Sequence, residues 1–382
     1  MKKLLCLILC LVMACTVLVA CDEEVIGDGI GDYPDTAEKV ERLDLNLYII
    51  KGDNMTDNAE KTVKTNISNH TKTAYNTVLN VFYVSESSYE STVSAAIAEG
   101  GKNVPHIVLI NSKDFATDLI YPMTGAIPTA DERVASPTVN FEADSLLADL
   151  TDYFVSENYG MLNTQIASSL IGASRLGTKL FTVPNNHVVG EYTYLVIDKE
   201  MARDTLKYGN RELMSYKSLE DASQLMADIT ALGEDPADYV KIVTGSYGYR
   251  DELAYITDGD KITENYVNVV ATPVATSEEA FSTAFAIVNT DKKHNDRAMQ
   301  LIYAINNDIE LRNLLQYGFA GSNYRITNGD VVMVNDGINN YDMNLIYTGD
   351  IFKAYNCSGI SWSDAEKAYG LLQNKDSIAA AE

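Results

Sequence analysis

The sequence predicts an α/β fold, because segments with the two-residue period of a strand alternate with segments that have the period of a helix. Leu43 to Ile50 alternates, with leucine or isoleucine at every second position, and a helical pattern follows up to Thr73. Val78 to Val84 is a second predicted strand. Ile107 to Ile110 is short and wholly apolar, which is typical of a strand buried on both faces of a parallel sheet. The predicted order is therefore β-α-β-α-β.

Capping and stop signals place the predicted helices. Ser87 to Glu90 matches the capping-box pattern and predicts a helix that stops at Gly100-Gly101. A second helix begins at Ser218 and ends at Gly233. Two more are predicted near Asn295 to Asn306 and over Asp308 to Tyr317, the latter closed by Gly318.

The first 20 residues have the pattern of a processing signal: Lys2 and Lys3 precede an apolar run from Leu4 to Ala20. The run ends in Leu18-Val19-Ala20-Cys21, which resembles the lipobox of bacterial lipoproteins. That resemblance implies removal of residues 1–20, lipidation of Cys21 and an anchor on the extracellular face of the cytoplasmic membrane. An uncleaved membrane helix, an ordinary secretory signal and a rival cleavage point at Met13-Ala14-Cys15 are the alternatives.

The segment from Cys21 to Glu41 is predicted to be a flexible tether, because its acidic and Gly/Asp/Pro-rich composition cannot bury apolar surface. About 340 residues follow, which is more than one hydrophobic core usually supports, so two lobes are expected. Of the five cysteines only Cys357 lies in this folded part. No disulfide within the folded part is expected.

The composition is strongly acidic, with 54 Asp and Glu against 29 Lys and Arg and a formal net charge of −25. Loss of Lys2 and Lys3 with the signal would make the balance still more negative. Binding to nucleic acid requires clustered positive charge, so nucleic acid is excluded as an expected partner. Any contact with a membrane is expected through the lipid.

Three stretches of the chain resemble the extracellular solute-binding proteins of ABC importers, the carbohydrate-type family. They are 94–110, with His106 where the family usually has Asp; 147–154 with 177–184 and 194–199; and 280–288 with 298–324. The last contains Tyr317-Gly318, Gly321 and Tyr324, a pattern similar to a lipoprotein branch of Firmicutes-type members. In the family, the stretch from Gly177 to Lys199 includes the strand that crosses between the lobes.

The resemblance implies a two-lobed periplasmic-binding-protein-like fold of type II with hinge-crossing strands. Lobe 1 would contain 42–195 and 269–327, and lobe 2 would contain 196–268 and 328–382. It also implies a monomer that delivers a small solute, a sugar or another polar nutrient, to the permease subunits of an importer.

Motifs for catalysis and for cofactors are missing from the sequence: there is no Gly-x-Ser-x-Gly, no His-Glu-x-x-His, no Cys-x-x-Cys and no phosphate-binding glycine loop. The four histidines have no metal-ligand spacing. We therefore expect a non-enzymatic protein without cofactor or metal. A surface binding or adhesion lipoprotein that serves no importer, and a surface glycan hydrolase, are the alternatives.

A solute site needs polar groups and ring faces at the junction of the lobes. The candidates are Asp53 and Asn54 after the first strand, Asn111 and Asp114 after the third, Asn185, Asn186 and His187 after Pro184, the cluster Tyr247, Tyr249 and Arg250, and the only tryptophan, Trp362. For each, turn formation or ordinary packing is the competing interpretation.

Overall fold

The computed structural model describes residues 41–136, 140, 142–188, 192–209, 215–245, 253–258, 261–271, 275–357 and 359–362. All of them belong to one compact unit, residues 36–382. Cys21 and the rest of the predicted signal and tether up to residue 40 lie outside the described residues. No helix in these ranges is both long enough and apolar enough to cross a bilayer.

The structure confirms the α/β class. The strands are β1 Leu43–Lys51, β2 Thr77–Ser85, β3 Ile107–Ile110, β4 Arg175–Leu176, β5 Lys179–Leu180, β6 Thr182–Pro184, β7 Tyr192–Asp198, β8 Val240–Gly245, β9 Tyr255–Asp258, β10 Lys261–Ala271, β11 Ala284–Ile287, β12 Tyr324–Thr327 and β13 Asp330–Met333. The α-helices are α1 Asp57–Tyr75, α2 Tyr89–Glu99, α3 Lys113–Ile120, α4 Ala130–Ala135, α5 Thr151–Val155, α6 Leu162–Gln165, α7 Ser168–Ala173, α8 Lys199–Met201, α9 Leu219–Ala231, α10 Ser277–Ser282, α11 Lys292–Asn307 and α12 Ile309–Tyr317. Short 3₁₀ turns include Glu86–Ser88, Gly101–Asn103, Leu345–Tyr347 and Ile351–Lys353.

A five-stranded sheet in the order β2-β1-β3-β11-β6 forms the centre of the first lobe. Strands β1, β2 and β3 are parallel, while β11 is antiparallel to both β3 and β6. All four residues of β3 are buried, as its unbroken apolar run predicts. The carboxyl ends of β1, β2, β3 and β6 consequently lie along one edge of this sheet.

His106, which precedes β3, supports the start of the sheet. It is 8 % exposed, its Nδ1 accepts a hydrogen bond of 3.1 Å from the Asn46 amide, and its ring stacks on His294. Burial, with the nearby His294, lowers the pKa of His106 to about 4. The side chain is therefore a neutral acceptor at neutral pH, a hydrogen-bonding role that an aspartate could also fill.

Most helix boundaries agree with the sequence prediction. Ser218 caps α9 with a capping box formed with Asp221, and Asp308 and Gly318 flank α12. The capping box predicted at Ser87 to Glu90 is wrong. A 3₁₀ turn precedes α2, and it directs the Ser88 hydroxyl back to Ser85 instead of to an amide of the helix.

A second sheet is antiparallel, with the order β8-β7-β10-β9. One face packs against α9 through a cluster that includes Leu195, Leu225 and Ile229. The other face packs against the end of the described chain, through Ile351 and Phe352. Residues after 328 thus cover one face of the second sheet.

The stretch from Gly177 to Lys199, which the resemblance predicted to include one crossing strand, contains β5 of a two-stranded sheet and then one strand of each of the two larger sheets. Strand β6 ends at Pro184 in the first sheet, and β7 begins at Tyr192 in the second. Proline has no N–H with which to continue a ladder, and the next two residues form hydrogen bonds to other segments of the chain. The chain returns to the first sheet between β10 and β11. The predicted lobe boundaries at 195 and 269 therefore fall inside β7 and β10.

Arg312 of α12 holds the segment that joins the two sheets near the end of the chain. Its side chain is fully buried, and it donates hydrogen bonds to the main-chain oxygens of Asp350 (2.9 Å) and Leu345 (3.2 Å). Gly349 lies between these residues with a φ of +105°, where a Cβ would come within 2.9 Å of Ile305. Only glycine fits this turn beside the arginine.

Candidate functional site

Several predicted polar residues lie in one row along the carboxyl edge of the first sheet. Ile110 at the end of β3 and Pro184 at the end of β6 both pair with Ala284 at the start of β11. The next residues, Asn111 and Asn185, therefore flank Thr283. Since neighbouring strands are about 4.8 Å apart, the two asparagines lie about 10 Å from each other.

Asn111 and Asn185 both present a buried carboxamide oxygen that has no hydrogen-bond partner among the described residues. Asn185 is 0 % exposed, and its Nδ2 donates to the Ile346 oxygen over 2.8 Å. Its amide N–H is bonded to the Thr283 oxygen, so the residue is fixed in place. A buried acceptor without a donor costs about 1–3 kcal/mol, and a donor from a ligand would recover this free energy.

Further buried oxygens without a partner in the described part of the chain lie around β6. They belong to Thr182 within this strand, to Ser169 on α7, which contacts β6, and to Gln165, whose main-chain oxygen bonds to Asn186. The unpartnered acceptors therefore concentrate where the chain leaves the first sheet for the second.

Asn186 is almost as buried as Asn185, with 3 % of its surface exposed, but every polar atom of its side chain already has a hydrogen-bond partner. Its Oδ1 accepts from the Ala167 amide at 3.1 Å, and its Nδ2 donates to the Gln165 oxygen at 2.9 Å and to Asp350 Oδ2 at 3.3 Å. The structure places Asn186 as a link between three segments of chain.

His187 completes the buried group behind the row of asparagines. Its Nδ1 lies 2.7 Å from the Asn185 oxygen and 3.4 Å from Thr283 Oγ1. Burial lowers the pKa of His187, although the bond to the Asn185 oxygen opposes this effect. The neutral form donates from Nδ1 and holds the Asn185 backbone.

Tyr347 and Glu86 lie near the same edge and are not among the sequence candidates. Tyr347 follows Ile346, which accepts the Asn185 hydrogen bond, and Glu86 follows β2. Burial raises the pKa of Tyr347, and the negative charge of the Glu86 carboxylate raises it further. Tyr347 supplies the kind of ring sought in the sequence, but no local pattern marks it because it lies in a turn far along the chain.

The loop after β1 forms hydrogen bonds with the segment 338–342. Asn54 donates to Asp342 Oδ2 at 3.3 Å, and Thr56 bonds to the main chain of Asn340. Asp53 is exposed in this loop, and Asp114 is exposed on α3. The structure does not bring Asp53 into the group formed around Asn185.

Tyr247, Tyr249 and Arg250 lie outside the described residues. Trp362 is half-buried and packs against two apolar clusters, one on the second sheet and one around Tyr317 and Tyr324. This position agrees with the packing interpretation of the single tryptophan. In the part of the chain that the structure describes, no group of three or more His, Cys, Asp or Glu side chains could hold a metal ion.

Two α/β sheets joined by two crossings, with polar groups at the carboxyl ends of the first, define the class: a two-lobed solute-binding-protein fold. Among solved structures, the N-glycan transport solute binding protein NgtS from Streptococcus pneumoniae in complex with Man5GlcNAc matches with a TM-score of 0.50 at 13 % identity, over 87 % of this chain and 82 % of that one. The same protein without the glycan gives a TM-score of 0.49 at 14 % identity, over 86 % and 82 %.

An extracellular solute-binding protein family 1 member from Alicyclobacillus acidocaldarius gives a TM-score of 0.37 at 12 % identity, over 72 % of this chain and 78 % of that one. No protein-family model matches the sequence, and no curated protein matches it. The likeness to NgtS shows the fold.

Proposed function

We propose that this chain is a lipid-anchored extracellular protein that captures a small polar solute and delivers it to the permease subunits of an ABC importer. The observation that carries the proposal is the pair of buried, unpartnered carboxamide oxygens of Asn111 and Asn185 at the carboxyl edge of the first sheet. In open α/β sheets, ligands bind at this edge, outside the carboxyl ends of the strands.

The chemistry of the edge favours a neutral solute rich in donors. Carboxamide oxygens accept hydrogen bonds from hydroxyl or N–H groups, and Tyr347 follows Ile346, whose main-chain oxygen accepts a hydrogen bond from Asn185. A sugar combines hydroxyl donors with apolar ring faces. NgtS, whose name refers to N-glycan transport, has the same fold and supports this choice of solute class.

The lobes of the proposal are 42–195 with 269–327, and 196–268 with 328–382. Strand membership favours moving the first crossing to the residues between Pro184 and Tyr192, beside Asn185. The remaining predicted contacts, Asp53, Tyr247, Tyr249, Arg250 and Trp362, are kept as candidates, whereas the hydrogen bonds of the Asn186 side chain favour a structural role. Loss of affinity in Tyr247→Ala or Arg250→Ala without loss of stability would support the aromatic-cationic cluster.

Thermal-shift screening of the protein against sugars, amino acids and short peptides tests the proposal. A ligand that binds only the native state raises the melting temperature. We expect a shift with a sugar, and we expect Asn111→Ala to reduce it. A protein that no sugar stabilises, or turnover of a soluble glycan in the same samples, would contradict the proposed function.

The anchor is tested separately by Cys21→Ser. We expect the parent to fractionate with membranes and to incorporate labelled palmitate, and we expect the variant to lose both properties, because the lipid is attached at this sulfur. Palmitate labelling of the variant would place the anchor at another residue. Uptake that persists after deletion of the gene would indicate a binding role without transport.

A further inference from the structure

The segment 341–346, which we call the strap, crosses the carboxyl edge of the first sheet. Next to β1, the Gly52 amide donates a hydrogen bond of 3.0 Å to the main-chain oxygen of Asp342. Next to β6, Asn185 Nδ2 donates one of 2.8 Å to the main-chain oxygen of Ile346. Strands β3 and β11 lie between β1 and β6, so the two anchors are about 14 Å apart. An extended chain spans about 14 Å in four residues, so the strap has little slack as it crosses the ends of β3 and β11.

Helix α12 also fixes the strap. Gln316 Nε2 donates to the Met343 oxygen at 2.9 Å, and Arg312 Nη2 donates to the Leu345 oxygen at 3.2 Å. Together with the two anchors, these bonds hold the main-chain oxygens of residues 342, 343, 345 and 346. The strap is therefore a fixed part of the edge and not a loose loop.

The strap determines which atom of the Asn185 carboxamide remains available to a solute. A carboxamide has a donor end and an acceptor end, and its neighbours decide which way each end points. The Ile346 oxygen can only accept, so it binds Nδ2 and leaves Oδ1 buried and without a partner among the described residues. The Asn185 main chain is held as well, because its N–H is bonded to the Thr283 oxygen and its oxygen to His187 Nδ1. One carbonyl of the strap therefore makes this position an acceptor.

The anchor beside β1 depends on a close approach at Gly52. A Cβ at this position would lie within 2.9 Å of Asp342 Cγ and of both its carboxylate oxygens. The φ of Gly52 lies outside the left-handed region, so this position needs the absence of a side chain and not an unusual backbone conformation. Asn54 Nδ2 donates to Asp342 Oδ2 at 3.3 Å on the same side. A larger residue at position 52 would push the strap away from β1.

We propose that the strap determines the specificity of the solute site. It fixes Asn185 with its oxygen toward the solute, so the solute must supply a hydroxyl or N–H donor at this point. Gly52 and Asp342 are positioning residues, since they hold the far end of the strap, about 14 Å from Asn185. The inference rests on the proposed function and narrows its solute class. A solute with an ether or carbonyl oxygen at this point would be rejected, because two acceptors would face each other in a buried site.

The direct readout is the side-chain NH₂ of Asn185, observed by NMR in ¹⁵N-labelled protein and assigned by its absence from Asn185→Asp. In the parent, the bond to Ile346 should slow exchange of this group with water. In Gly52→Ala the new Cβ displaces Asp342 and the strap shifts, so exchange should become at least about tenfold faster. The double variant Gly52→Ala/Asp342→Ala removes the carboxylate that the Cβ would meet, so slow exchange should return.

Gly172→Ala is the matched control, because it adds the same methyl group where no atom lies within 4 Å of the new Cβ. Exchange at Asn185 should then equal that of the parent. If Gly52→Ala does not fold, Gln316→Met takes its place, since it loosens the strap by removing the donor to Met343. The proposal is overturned if exchange at Asn185 stays slow in the loosened variant, or if the double variant does not recover it.

The solute probes are mannose, glucose and N-acetylglucosamine, compared by thermal shift and then by calorimetry. The sugar that stabilises the parent most should bind Gly52→Ala about tenfold more weakly, with recovery in the double variant. Equal affinities of the parent and Gly52→Ala would overturn the role in specificity. If none of the three sugars binds the parent, that result counts against the proposed function, and the exchange at Asn185 alone decides the role of the strap.

Discussion

Asn185 and Asn186 are adjacent, chemically identical and almost equally buried, at 0 % and 3 % exposure, yet the structure uses them in opposite ways. Every polar atom of the Asn186 side chain bonds to another segment of this chain, whereas the Asn185 oxygen has no partner among the described residues. Burial alone does not separate a structural residue from a binding residue. The two roles are distinguished by whether each buried donor and acceptor already has a hydrogen-bond partner within the chain.

The same contrast extends to the surroundings of each asparagine. Asn186 belongs to a network in which Asp350, Arg312 and Asn306 fix the C-terminal segment. Asn185 belongs to the edge shared with Asn111, where oxygens remain available. Substitutions in the first region should therefore change stability, and those in the second should change solute binding.

The largest effect is expected from Arg312→Met. The methionine would fill part of the volume but leave the main-chain oxygen of Asp350 without its side-chain donor, and that of Leu345 with Thr348 Oγ1 alone. We expect the free energy of unfolding to fall by about 3–5 kcal/mol. Urea titration followed by circular dichroism measures it, and a loss below about 1 kcal/mol would show that Arg312 does not hold this segment.

Asn186→Ala should lower the free energy of unfolding by about 2–3 kcal/mol, because three buried hydrogen bonds are lost. Solute affinity, measured by calorimetry at a temperature where the variant is folded, should change little. A variant with parental stability and much weaker binding would place Asn186 in the site and erase the contrast with Asn185.

Asn111→Ala should weaken solute binding by about 1–2 kcal/mol, roughly 5- to 30-fold, and leave stability nearly unchanged. The reason is that the variant removes an acceptor without a described partner. Calorimetric titration with the solute found by screening measures the affinity, and Asp118→Ala, an exposed position on α3, is the control. Equal affinities of parent and variant would remove Asn111 from the site.

His187 should make stability depend on pH. Its pKa in the folded protein is lowered by burial, so the unfolded chain takes up a proton more readily. The free energy of unfolding should fall as the pH drops from about 6.5, the pKa of histidine in the unfolded chain, toward the lower pKa of His187 in the folded protein. This contribution to stability should be fully present at pH values above about 6.5. His106, with a pKa lowered to about 4, acts in the same direction.

In the variant His187→Gln, stability should change less steeply with pH, because the contribution of His187 is removed. His106→Gln should remove the contribution of His106 in the same way. Melting temperatures between pH 4 and 8 give the comparison. A parent profile that rises toward acid, or an unchanged slope in both variants, would contradict this interpretation.

The smallest effect is expected from reduction. Cys357 forms no disulfide in the described part of the chain, and it is the only cysteine that follows Cys21 in the sequence. A reducing agent should therefore leave the melting temperature unchanged. A shift of several degrees would reveal a covalent role for Cys357, such as a disulfide between two copies.

The sequence predicted the parts of the fold that depend on local patterns. The alternation in β1, the apolar run of β3 and the caps of α9 and α12 all correspond to the structure within a few residues. The capping box at Ser87 was wrong, because a 3₁₀ turn competes for the same residues. The lobe boundaries stay a prediction, and residues 195 and 269 lie within β7 and β10, because no local signal shows to which sheet a strand belongs.

The candidate site was predictable only in outline. Asn111 and Asn185, which follow strands in the sequence, do lie along one sheet edge, but the difference between Asn185 and Asn186 depends on partners near residues 165 and 350. Tyr347 and Glu86 come together from distant parts of the chain. Such pairs are created by tertiary structure and have no spacing to recognise.

The pairing of β3 with β11 also determines when this protein can fold. Ile110 and Ala284 are neighbours in the first sheet although more than 170 residues separate them in the sequence, and the hydrogen-bond partners of Arg312 are Leu345 and Asp350. Contacts of such long sequence separation form slowly. A chain that emerges amino end first therefore waits with the edge of β3 uncovered until β11 has been made, and this edge is open to aggregation during that delay.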